Sequence, residues 1–141
     1  MNTRRSFFLR RPIPVTIVTL FVLSITAWNG FRAWVAIADR DILLRYDGKP
    51  VYTAASGLIW FMAGCVLVDG LLNRKVYAWR ATVLVSMIYM IWYWIDRLFI
   101  QVSPSNNLMF SAVTSVIIFI AFAIFLFWPS SRAFFTRRDH E

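Results

Sequence analysis

The chain has 141 residues, 60% of them hydrophobic and 18% aromatic, and a formal net charge of +8; its mean hydropathy is +0.62. A water-soluble domain is nearer half apolar, so this composition excludes an ordinary soluble domain and points to an integral membrane protein. One cysteine, Cys65, and one histidine, His140, exclude an intramolecular disulfide, a thiolate metal cluster and bis-histidine haem ligation.

The chain begins MNTRRSFFLRR, with Arg4, Arg5, Arg10 and Arg11. Twin arginines, an apolar run and the triplet Ala36-Ile37-Ala38 are the parts of a cleaved export signal. Against that, the run from Ile13 to Phe31 is longer than the 7–15 residues of such a signal's core. Arg32 and Trp34 intervene before the triplet, and three further apolar runs follow. The arginines are therefore expected to be the cytoplasmic foot of a permanent first span, about 13–33, which starts at Pro12 and Pro14.

Beyond it, Phe31, Trp34, Val35, Ala38 and Ile42 recur at helical spacing, and Asp41 and Arg45 form an i,i+4 pair. Residues 31–46 are expected either to extend the first helix or to lie on the outer membrane surface as an interfacial helix.

The second span, about 51–72, follows the break Asp47-Gly48-Lys49-Pro50. Thr53, Gly57 and Gly64 share one face and let another helix approach, so Gly57 and Gly64 are helix-packing candidates, and Leu at either is expected to break a partner contact. Cys65 is expected to be a small buried packing residue. Asp69 lies one turn from the end of this span.

The third span, about 78–100, carries Thr82, Ser86, Tyr89 and Tyr93 on one face and Asp96-Arg97 near its end. The fourth, about 107–128, follows Ser103-Pro104-Ser105, is closed by Pro129 and clusters Asn107, Ser111, Thr114 and Ser115. All four runs reach the ~20 residues a helix needs to cross hydrocarbon, and none alternates with period 2 as a barrel strand would. The expected fold class is all-α, a bundle of four transmembrane helices forming a single membrane domain, 1–141.

Ten of the fifteen Lys and Arg residues fall at the N-terminus, in the loop between spans two and three and in the tail; five fall on the other side. Positive loops stay in the cytoplasm, so both termini are expected there. Trp28, Trp34, Trp92 and Trp94 would then form an outer aromatic belt, and Tyr77, Trp79 and Trp128 an inner one.

The side chains that could carry function are Arg32, Asp69, Asp96 and Arg97. An ionisable group in a span is a functional candidate, since a central charge costs ~3 kcal/mol or more. All four lie near span ends, where snorkelling or pairing accommodates them. The sharper expectation is that Arg32 and Asp96 meet at the outer face. The Thr and Ser stripes are expected to act as interhelical hydrogen bonds, or, facing one another, to line a polar pathway. No catalytic or metal-binding motif and no phosphate loop occurs, so no enzyme activity, cofactor or metal site is expected. The basic residues lie between apolar runs, which favours the lipid bilayer over nucleic acid as partner.

RRPIPVTIVTLFVL, SGLIWFMAGCVLVDGLLNRKVYAWRAT and the basic tail resemble small four-helix bacterial integral membrane proteins, over the whole chain. The resemblance implies a place in the plasma or bacterial inner membrane but brings no activity. The chain lacks the helix-one Glu of small multidrug exporters and the paired cysteines of quinone-linked thiol oxidoreductases. The expectation is a non-enzymatic protein acting through helix–helix contacts, as an accessory or assembly subunit of a larger membrane complex or as a homo-oligomer. The alternative is a small oligomeric transporter or channel.

Overall fold

A computed structural model describes residues 12–45, 48–100, 108–129 and 131. The described residues are almost entirely helical and include no strand. In chain order the helices are α1 (Ile13–Ala38), α2 (Arg40–Arg45), α3 (Pro50–Leu72), α4 (Val76–Ile95) and α5 (Leu108–Phe127). A single π-helical stretch, Asp96–Ile100, prolongs α4. The arginine foot, Asp47, the Ser103-Pro104-Ser105 break, Asn107 and the basic tail lie outside the described residues.

Four helices are long and apolar enough to cross a membrane: α1, α3, α4 with its π turn, and α5. Proline sets two of their starts. Pro14 sits in the first turn of α1 and Pro50 opens α3, positions where a missing N–H costs nothing. α1 runs five residues past the expected end at 33, because Ala33 and Ala36 are buried and keep the chain packed. The 31–46 segment is thus mainly an extension of the first helix, broken at Asp39 before the short α2. Between α3 and α4, Arg74 adopts a left-handed φ of 53°. The Lys75 N–H bonds back to the Gly70 carbonyl at 2.9 Å and closes the end of α3, a Schellman turn that reverses the chain in three residues.

The four long helices run up and down, giving the bundle a Lys75 end and an Asp96 end. α1 and α3 pair most closely. A Cβ on Gly57 would lie 2.9 Å from the Asn29 carbonyl oxygen and 3.0 Å from the Ala33 Cβ; one on Gly64 would lie 2.9 Å from the Cβ and Cγ2 of Thr26. Small residues let the backbones meet. The helix admitted by Gly57 and Gly64 is thus this chain's own α1, so leucine at either position tests the fold and not a foreign contact.

The hydrophobic core gathers toward the Lys75 end, where Val15, Val18, Val22, Leu67, Leu71 and Leu126 pack with Ala78 and Phe122. The long helices expose apolar side chains along their lengths, with Leu20, Ile59, Leu84, Ile91 and Ile117 all more than half exposed, the inverse of a water-soluble surface.

Candidate functional site

Polar side chains cross between helices mainly at the Asp96 end. Asp96 is only 2% exposed. It lies at the junction of α4 with the π turn, where its N–H is shared by the carbonyls of Trp92 and Tyr93. π turns often mark functional positions. From α1, the Arg32 Nη2 donates to the Asp96 Oδ2 at 3.3 Å. The same guanidinium lies over the Trp92 ring, 5.4 Å from its centroid. The buried acid thus ties α1 to α4. The next residue, Arg97, reaches α5: its Nη2 donates to the Ser111 Oγ at 2.7 Å.

One turn below Arg32 lies Asn29, 1% exposed. Its Nδ2 donates to the Ile25 carbonyl at 2.9 Å and to the Tyr89 hydroxyl at 3.3 Å. Its Oδ1 is buried and accepts no hydrogen bond from the described residues. The amide orientation follows from these bonds, since a flip would set the Oδ1 against the Ile25 carbonyl. Trp60 from α3 stacks edge-on against Tyr89, centroids 4.9 Å apart, and tilts against Trp92 at 5.3 Å.

These groups border a cavity of about 430 Å³ between the four long helices, within the usual range of ligand pockets. Its walls are mostly apolar, with Phe21, Ile25, Val85 and Phe119 among them. The polar wall groups are Asn29, Thr26, Ser86, Tyr89, Tyr93 and the hydroxyls of α5, and no charged side chain lines it. Ser86, Tyr89 and Tyr93 of α4 thus face Ser111, Thr114 and Ser115 of α5 across one space.

Most of the other hydroxyls do not bridge helices. Thr19 donates to the Val15 carbonyl, Thr26 to Val22 and Thr82 to Ala78, each at 2.7–2.8 Å; Ser115 donates to the Ser111 carbonyl. The expected interhelical glue is corrected here. A hydroxyl one turn above a carbonyl of its own helix finds that acceptor first. Thr16, which helical spacing puts on one face with Thr19, Thr26 and Gly30, is exposed, whereas Thr19 and Thr26 are buried.

Asp69 is remote from this network. It is exposed at the Lys75 end and accepts from the Lys75 Nζ and the Asn73 Nδ2, both at 2.6 Å. The hydrogen bond to Asp69, and then the carboxylate's charge, raises the Lys75 pKa above its ordinary value. Trp28 and Trp34 are exposed at the Asp96 end, and Tyr77 and Trp128 at the other. Cys65, expected to be buried, is exposed, because Gly64 takes the inward position against Thr26 and turns its neighbour out. Among the described residues no three His, Cys, Asp or Glu side chains come together as a metal would need.

Asn29 and Trp60 belong to this site without being among the candidates expected from the sequence. For Asn29 a signal existed: it lies three residues after Thr26 and three before Arg32, on the stripe that faces the bundle. Neither a family model, nor a curated protein, nor a solved structure matches the chain. Its function is therefore read from these side chains and their geometry.

Proposed function

We propose that the chain is a multi-pass protein of the bacterial inner membrane, with both termini cytoplasmic, that acts through helix–helix contacts and catalyses no reaction. It serves as an accessory subunit of a larger complex or as a small homo-oligomer. The observation that carries this reading is the thin packing of two helices. Of the most apolar stretch of α1, 33% is buried; the figures for α4 with its π turn and for α5 are 6% and 11%. Leu84 and Ile91 on α4, and Val113 and Ile117 on α5, stay at least half exposed and offer surface to further helices. Lipid covers such surface too, without a hydrophobic preference for protein, so the copy number decides. The orientation rests on the ten basic residues assigned to the side of the termini, against five on the other.

Native mass spectrometry of the full-length protein, extracted gently from its own membrane, tests the reading. A stoichiometric foreign protein, or a fixed number of copies, supports it; a monomer carrying only lipid overturns it. Fluorescent-protein and alkaline-phosphatase fusions at each terminus test the orientation: fluorescence and no phosphatase activity at both ends is the expected result.

The cavity between the four long helices, with hydroxyls of α4 and α5 in its wall, favours a second reading, a small oligomeric transporter whose internal space carries a solute. Proteoliposomes containing the protein should then pass small polar solutes faster than empty vesicles. Equal rates remove that reading.

A further inference from the structure

We infer that the cavity between the four long helices is a binding site for one uncharged lipid alcohol, a hydroxyl head on a hydrocarbon body, which enters from the bilayer between α4 and α5. Four observations carry this. The first is the orphan acceptor. Asn29 lines the cavity, and its Oδ1 is buried and accepts no hydrogen bond from a described residue; a buried polar atom left so costs ~1–3 kcal/mol. The second is a donor beside it. The Tyr89 hydroxyl accepts from the Asn29 Nδ2, and its own proton is given to no described residue. A hydroxyl head satisfies both at once, donating to Asn29 and accepting from Tyr89.

The third observation is the character of the wall. No charged side chain reaches it, and Arg32 and Asp96 at the rim are paired to each other. An ionic head would be buried without a counter-charge, at a cost that excludes it. Water alone is a poor occupant. One molecule, whose share of liquid volume is ~30 Å³, can bridge Asn29 and Tyr89, but most of the roughly 430 Å³ is bounded by Phe21, Ile25, Val85, Phe119 and similar side chains. The occupant that fits is mostly hydrocarbon.

The fourth observation is the route. α4 and α5 touch near their ends: the Trp79 Nε1 donates to the Leu126 carbonyl at the Lys75 end, and Arg97 reaches Ser111 at the other. Among the described residues the two helices pair less closely than α1 with α3 or α3 with α4, and both line the cavity. The entrance therefore faces hydrocarbon.

This inference rests on the membrane location proposed above but not on any partner, and its test needs none. The full-length protein is placed as a single copy in lipid nanodiscs and irradiated with hexadecanol bearing a chain diazirine, and separately with the methyl ether of the same probe. The ether keeps the acceptor and lacks the donor that Asn29 requires. The expected result is labelling on cavity residues of α4 and α5, competed by plain hexadecanol and about tenfold weaker for the ether, the worth of one hydrogen bond. Tyr89→Phe, which removes one hydroxyl and keeps the ring, should weaken alcohol labelling by a similar factor while the protein stays folded, its α1–α4 hydrogen bond lost with the hydroxyl. Asn29→Leu should abolish the difference between alcohol and ether. Labelling spread over outward positions such as Leu84 and Ile117, or equal labelling by alcohol and ether in the unmutated protein, overturns the site. A failure of native mass spectrometry to find a partner leaves this result untouched, so the two readings fail separately.

Discussion

The two ends of the bundle are built on different principles from the same four helices. At the Lys75 end, Val15, Val18, Leu71, Ala78 and Leu126 fill the space between helices, and the buried hydroxyls of Thr19 and Thr82 return their protons to their own helix. At the Asp96 end, polar groups cross between helices: Arg32 to Asp96, Asn29 to Tyr89 and Arg97 to Ser111. Side-chain volume sets the spacing at one end and directional bonds set it at the other. A bond fixes a distance without filling what lies beside it. The cavity accordingly runs from the bonded groups Asn29 and Tyr89 down to Val22, Leu67 and Phe122 at the margin of the core, and only beyond them do the helices pack as interiors usually do.

The sharpest way to break this comparison is at its most buried charge. Asp96→Asn leaves Arg32 facing a neutral amide and should destabilise the protein by ~3–5 kcal/mol, the usual cost of removing one partner of a buried pair. Arg32→Gln should cost a similar amount. The double variant should cost clearly less than the sum, because the pair is then gone as a unit. Thermal unfolding in detergent or nanodiscs reads all three, and strictly additive losses would sink the pairing.

Next comes the α1–α3 seam. Gly64→Ala places a Cβ 2.9 Å from the Thr26 Cβ and Cγ2, which are close to the backbone and cannot swing away. The expected loss is in the upper part of the ~1–3 kcal/mol range for overpacking. Cys65→Ala, one residue along and exposed, should stay within ~0.5 kcal/mol. Equal effects at the two positions would mean that the seam does not run through Gly64.

Leu71→Ala probes the filled end. In water such a change in a core costs ~2–5 kcal/mol through lost transfer energy and a cavity. Between helices in lipid the transfer part shrinks, because the surroundings are as apolar as the side chain. About 2 kcal/mol, the packing share, is the expected loss. Combined with Asp96→Asn at the opposite end it should add within ~0.5 kcal/mol; a larger coupling would show that the two ends are one network.

The four long helices were legible because each needs only a run of ~20 apolar residues. The Arg32–Asp96 contact was legible too, since two opposite charges at the same end of adjacent spans have few other places to go. What was hidden is rotation. A helix that is apolar all round carries no hydrophobic phase, so the small residues of α3 marked a packing face at Gly57 and Gly64 but could not tell that it meets α1, nor that Cys65 beside it faces out. Asn29 was masked for a related reason. Its neighbour Trp28 was expected in the outer aromatic belt and Asn29 itself was given no role, whereas α1 continues to Ala38 and leaves it well inside. Nor did any local signal mark the π turn at Asp96.

The smallest expected effect returns to the comparison from the other side. Asp69 and Lys75 are an acid and a base 2.6 Å apart, closer than Arg32 and Asp96, yet their side chains are 54% and 43% exposed. Water already solvates both, so the chemistry that holds the Asp96 end together should contribute little here. The pH dependence gives the sign. The Asp69 hydrogen bond raises the Lys75 pKa, so the folded state holds the lysine proton more tightly than the unfolded chain does. Whatever the pair adds is fully present below the ordinary lysine pKa of ~10.4 and is lost as pH rises through the higher folded value. The midpoint difference between the unmutated protein and Lys75→Met should therefore be small near neutrality, shrink further in strong alkali and fall with added salt. A difference as large as that of Asp96→Asn, or one that grows with pH, would mean that exposure is not what separates the two ends.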